Sequence, residues 1–122
     1  MADVVDTAVR KFQKELNAGT AALVLLAILE RSGEPLYGYQ IAKQLERATS
    51  AGVPAKQGTL YPVLRSLEAQ GLLSSRVEPS VAGPPRKYYA ITAAGTEVLA
   101  AWQDAWIRTR DFVDGTLEGG RS

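Results

Sequence analysis

The segment Gly58-Thr59-Leu60-Tyr61-Pro62-Val63-Leu64-Arg65-Ser66-Leu67-Glu68-Ala69-Gln70-Gly71-Leu72-Leu73-Ser74-Ser75-Arg76-Val77 changes its hydrophobic period partway along. Leu60, Leu64 and Leu67 recur at i, i+4 and i+7, the stripe of a helix that buries one face. Gly71 stands where a left-handed residue closes such a helix, with Leu72 placed to meet Leu67 across the cap. Beyond it Leu73 and Val77 alternate with Ser74 and Arg76, the period of a strand. Pro62 lacks a donor and disfavours helical geometry at Tyr61, which predicts an irregular or kinked first turn.

Working outward, residues from about Tyr37 to Thr49 read as a preceding helix with Ile41, Leu45 and Ala48 inward and Gln40, Lys43, Gln44 and Arg47 outward. The loop Ser50 to Ala55, with Gly52 and Pro54, separates the two and gives a helix-turn-helix layout. On the other side, Arg86 to Ile91 reads as a second strand with Lys87, Tyr89 and Ile91 on one face. Between the strands, the prolines and glycine of Glu78 to Pro85 predict a long irregular hairpin tip.

At the N-terminus, Val5, Phe12 and Leu16, with Ala8 and Val9, form a helical stripe that Gly19 stops, so a first helix is expected from about Asp3 to Ala18. Thr20 then caps a second, to Arg31, that is apolar all round and therefore central; Ser32-Gly33-Glu34-Pro35 breaks it. Thr92 caps a final helix to about Thr116, and the tail from Glu118 should fray. Helices, a helix-turn-helix and a two-stranded wing make a mainly α (α+β) winged helix-turn-helix, expected as a DNA-binding domain over residues 1–92 and a C-terminal dimerisation helix over 93–122.

That last helix places Gly95, Leu99, Trp102, Trp106, Thr109, Val113 and Thr116 at alternating spacings of four and three, a heptad seam. A seam carrying two tryptophans needs a partner helix, and a second copy of the chain is the expected one; the amphipathic first helix is a candidate for the same interface.

Composition narrows the function. The 122 residues contain no cysteine and no histidine, which excludes disulfides, thiolate zinc sites, cysteine nucleophiles and imidazole bases. No glycine-rich phosphate loop and no paired-carboxylate or Ser-Lys constellation is present either, so an enzyme is not expected, nor is a metal or cofactor. The longest apolar run, Ala21 to Leu29, is too short for a bilayer, and Asp3 and Asp6 stand where a signal peptide would carry lysines; the expected location is the cytoplasm. The net charge of +1 is unevenly spread, with a basic excess between Tyr37 and Thr92 and acidic ends. A basic middle suits a surface that faces nucleic acid.

Four motifs, Leu36-Tyr37-Gly38-Tyr39-Gln40-Ile41, Gly58-Thr59-Leu60-Tyr61-Pro62-Val63-Leu64, Leu67-Glu68-Ala69-Gln70-Gly71-Leu72 and Pro85-Arg86-Lys87-Tyr88-Tyr89-Ala90-Ile91-Thr92 with Gly95, resemble the PadR family of bacterial transcriptional regulators. The single long C-terminal helix is similar to that of the short subclass. The resemblance implies a homodimeric winged-helix repressor of nearby genes, relieved by a small effector. The proline-rich wing tip departs from the family pattern.

With the leucine stripe inward, the outward face of the Gly58 helix is small enough to approach a major groove, and Lys56, Gln57 and Thr59 at its start are candidates for base edges. Tyr61 and Arg65 on its flank suit phosphates, as do Tyr39 and the wing cations Arg86 and Lys87. Tyr88 and Tyr89 point to opposite faces, so only one is core. Leu99, Trp102, Trp106 and Val113 on the seam are candidates both for the dimer interface and for a slot taking a planar aromatic effector. Within the resemblance, some multidrug-binding short-subclass proteins use a tryptophan here, and counting from Thr92 matches it to Trp106. The leading expectation is a repressor that binds a palindromic double-stranded DNA operator; the alternative is a winged-helix dimer used as a protein-interaction module.

Overall fold

The structure is a computed structural model that describes residues 2–48 and 57–119, the side chains of residues 2, 48 and 57–59 lying outside the description. The chain runs α1 (Ala2–Ser32), β1 (Leu36–Tyr37), α2 (Gly38–Ala48), α3 (Gln57–Ala69), β2 (Leu73–Ser80), β3 (Gly83–Ile91) and α4 (Ala93–Leu117). The strands form one antiparallel sheet in the order β1-β3-β2. This is the expected α+β winged helix-turn-helix order with one strand added, because Tyr37 does not begin the helix as expected but pairs with Tyr88 in β1. Gln40 reaches back one turn to accept a hydrogen bond from the Tyr37 backbone N–H (3.1 Å), the half of a capping box that starts α2 one residue later.

The break expected at Gly19 is absent, and α1 is a single helix of 31 residues. Thr20 does not cap; its hydroxyl donates back to the Leu16 carbonyl at 2.9 Å and stays within the helical ladder. A mid-helix glycine costs only about 1 kcal/mol, and burial of the following apolar turns outweighs it. Leu25, Leu26 and Leu29 are almost fully buried and share the core with Leu36, Ile41, Leu60, Leu64, Leu67 and Tyr89. By length and composition α1 could cross a bilayer, yet its most apolar turns fill this core while six charged side chains occupy its first half.

Helix α3 also continues through Pro62; the proline ring is exposed and its missing bond falls in the early turns. Its end is the expected one. Gly71 has φ +80°, its N–H donates to the Glu68 carbonyl and that of Leu72 to the Leu67 carbonyl (2.9 Å each), closing the helix as a Schellman motif.

The wing is more regular than its prolines predict. Strand pairing continues to Ser80 opposite Gly83, leaving only Val81 and Ala82 at the tip. The register shifts between Glu78 and Ser80, where Pro79 faces both Pro84 and Pro85 in a bulge, and β1 is too short to reach this end of β3. The prolines therefore sit where no ladder donor is required.

At the base of α4, Thr92 accepts from the Gly95 N–H (3.0 Å), donates through its hydroxyl to the Gly71 carbonyl (2.7 Å) and through its N–H to the Leu72 carbonyl (3.1 Å). One residue thus caps α4 and ties it to the end of α3. Leu99 and Trp102 are partly buried against the chain's own core, so the first half of the seam has some cover within the monomer. The distal half is open: Trp106 is 38% and Val113 44% exposed, beside exposed Phe112 and Leu117.

Candidate nucleic-acid interface

On the outer face of the sheet β1 brings Tyr37 against Tyr88, with ring centroids 5.3 Å apart in an edge arrangement, and Tyr39 stacks on Tyr37 from the first turn of α2 at 6.4 Å. The side chain of Tyr61 on α3 lies across Gly38, so close that a Cβ there would stand 2.2 Å from its hydroxyl oxygen. Glycine at position 38 is what lets α2 and α3 meet through this ring. An aromatic band thus runs from the start of α2 to the wing, with Tyr61 of α3 packed across Gly38 beside it.

Cations cover it. The Arg86 guanidinium lies 4.6 Å from the Tyr37 ring centroid, Lys43 Nζ 5.5 Å from Tyr39 and the Arg76 guanidinium 6.0 Å from Tyr88. Such stacking holds each positive charge in place while leaving its outward N–H groups to a further acceptor. Arg76 also pairs with Glu78 at 3.0 Å, and Glu78 stands opposite Arg86 in the strand register. Arg65 is exposed on α3 and, among the described residues, forms no ion pair.

Of the residues expected at this surface, Tyr39, Tyr61 and Arg86 come together on the band, and Arg65 shares α3 with Tyr61. Gln57 and Thr59 belong to the first turn of α3, while Lys56 lies outside the described residues. Lys87 points to the other face of the wing, where its Nζ is 3.4 Å from Glu68 Oε1 and 5.4 Å from the Tyr89 ring centroid. Ser75 donates a short hydrogen bond to the second Glu68 oxygen. The Ser75 bond holds the Glu68 carboxyl below the usual carboxylate range, assisted by Lys87 against the opposing effect of desolvation. Lys87 is held above its ordinary value, first by Tyr89 and then by Glu68. Tyr37, Lys43, Arg76 and Glu68 were not singled out by the sequence; the Tyr37-x-Tyr39 spacing was the one local signal for the first of them.

The candidate effector residues divide. Leu99 and Trp102 are half-buried toward α1, Trp106 and Val113 open outward, and two surface hollows, at the wing tip around Val81 and Arg86 and between α1 and α2 around Arg31 and Arg47, lie away from α4.

The sequence pattern described as "Transcriptional regulator PadR-like family" matches residues 25–101, which contain α2, α3, the whole sheet and the Thr92 joint. The chain belongs to the PadR-like family. It is 37% identical to a crystal structure of a PadR family transcriptional regulator from Eggerthella lenta, which it matches over 96% of this chain and 98% of that one with a TM-score of 0.82. A PadR-like regulator from Bacillus cereus matches at 30% identity over 86% and 98% of the two chains, with a TM-score of 0.68. Among curated relatives, the transcriptional regulator Rv3488 of Mycobacterium tuberculosis is 36% identical over 74% of this chain and 75% of that protein. The transcriptional regulator YqjI of Escherichia coli is 31% identical over 71% of this chain but only 39% of its own length, so this chain spans well under half of that relative. PadR-like proteins are transcriptional regulators and not enzymes.

Proposed function

We propose that this PadR-like chain is a cytoplasmic, DNA-binding transcriptional repressor that acts as a homodimer on a palindromic operator. The observation that carries the reading is the tyrosine–cation band, which joins α2 and the wing on one face beside Tyr61 of α3. Phosphate contacts from Arg86, Arg65, Tyr39 and Tyr61 hold α3 against the duplex, while Lys56, Gln57 and Thr59 at its start read base edges. Dimerisation is supported by the apolar side chains left in water on two helices: Val5, Val9 and Phe12 on α1, and Phe112, Val113 and Leu117 on α4. A two-fold pair would set the two α3 helices about 34 Å apart, one turn of the duplex.

A planar, largely hydrophobic effector stacking on Trp106 beside Leu99, Trp102 and Val113 would release the DNA by favouring a different angle between subunits. Fluorescence anisotropy with the duplex flanking the gene, at about 50 and 200 mM salt, tests the reading. Binding that weakens steeply with salt, and that aromatic compounds reverse, is expected; an affinity no higher for that duplex than for random DNA would refute it.

A further inference from the structure

Two adjacent wing cations have opposite fates in this fold. Arg86 lies on the outer face with its guanidinium on Tyr37, whereas Lys87 turns to the inner face and meets Glu68, near the C-terminal end of α3. The Glu68 carboxylate is fixed from three elements: its backbone is in α3, Ser75 of β2 donates to one oxygen and Lys87 of β3 reaches the other. Neither partner is deeply buried; the side chains are 45% exposed at Lys87 and 33% at Glu68. A phosphate arriving at the wing root therefore finds Lys87 already engaged by a carboxylate held in place, and gains it only by breaking that pair.

We propose that Glu68 withholds Lys87 from the DNA backbone and so sets the sequence-independent part of the protein's affinity for DNA. This inference rests on the DNA-binding reading above. Non-specific affinity grows with each phosphate neutralised, equally on every sequence, whereas base contacts discriminate. Keeping one lysine engaged lowers binding to every duplex by the same factor, which limits occupancy of non-specific DNA while the ratio between operator and random sequence stays with the residues that read bases. The wing then clamps with Arg86, and Lys87 is a reserve cation.

The test is Glu68→Gln. Glutamine is isosteric and still accepts from Ser75, but no longer holds the ammonium by charge. One additional phosphate contact is worth roughly five-fold in affinity at 0.15 M salt, taking a log–log slope of ~0.9. Glu68→Gln is therefore expected to tighten binding to random duplex by about that factor and steepen the salt slope by about one. Operator binding should tighten no more than this, and Lys87→Ala alone should change little. In the Glu68→Gln, Lys87→Ala double variant the gain should vanish; a gain that persists there overturns the proposal, because the effect would then not pass through Lys87. Unchanged or weakened binding by a folded Glu68→Gln, with wild type binding normally, overturns the proposal alone. Wild type that binds no duplex at either salt overturns the DNA-binding reading and this one with it.

Discussion

Adding one methyl group at Gly95 should cost this protein more than a typical point substitution. The Cβ of an alanine there would stand 2.2 Å from the Leu72 carbonyl oxygen and 2.7 Å from Ile91 Cγ1. The first contact is roughly 1.3 Å inside the ~3.5 Å optimum and is made with backbone, which cannot rotate aside. Relief requires α4 to lift from the end of α3, stretching the 3.1 Å bond from the Thr92 N–H to that same carbonyl. Overpacking costs ~1–3 kcal/mol and the strained hydrogen bond about 1 kcal/mol, against at most ~1 kcal/mol gained from the helix propensity of alanine. The net is a loss of about 2 kcal/mol. For a domain of this size that lowers the melting temperature by roughly 8 °C, at ~4 °C per kcal/mol. Far-UV circular dichroism melts at matched protein concentration measure it, with Gly115→Ala as the control, since a Cβ at Gly115 meets nothing within 4 Å. A Gly95→Ala melt equal to or above wild type would refute the packing account of the Thr92 joint.

Other outcomes follow from the same structure. Gly19→Ala, in the exposed middle of α1 with open space around the new Cβ, should stabilise by about 0.5–1 kcal/mol, read as a higher melting temperature. Arg86→Ala should weaken binding to every duplex about five-fold at 0.15 M salt and reduce the salt slope by about one, measured by anisotropy titrations. Phe112→Asp, on the open part of α4, should convert the expected dimer to monomer in sedimentation at micromolar concentration, leaving the circular dichroism spectrum unchanged. Because the Glu68 pKa is lowered by folding, its contribution to stability is present above the ordinary glutamate value and is lost as pH falls through the depressed one. Melts at neutral and acid pH should therefore show a smaller acid loss for Glu68→Gln than for wild type.

What the sequence made legible was mostly local. The Gly71 cap could be read because its signal, a leucine stripe followed by glycine and leucine, lies within one turn of the bonds that form. The Thr92 cap was legible for the same reason. Gly19 misled because a helix propensity worth about 1 kcal/mol was weighed without the burial of Leu25, Leu26 and Leu29 that opposes it. The wing prolines misled because their effect depends on register, and Pro79, Pro84 and Pro85 fall at a bulge with one edge unpaired. At the candidate site, the cations and tyrosines with a helical or wing position were nameable. Tyr37 and Arg76 were not, since each acquires its neighbours only when β3 sets Tyr88 opposite both. Lys87 has no acid nearer in sequence than Glu78, whereas folding brings it Glu68.

The continuity of α1 makes it a beam. At 1.5 Å per residue its 31 residues extend roughly 46 Å. One end, carrying Val5, Val9 and Phe12, stands in solvent; the other is bedded through Leu25, Leu26 and Leu29 among α2 and α3. Two helices joined at a flexible glycine would absorb a push at the free end as bending. A single helix instead turns about its embedded part as a lever, so an angular change imposed far from the tyrosine band is delivered to the elements that carry it.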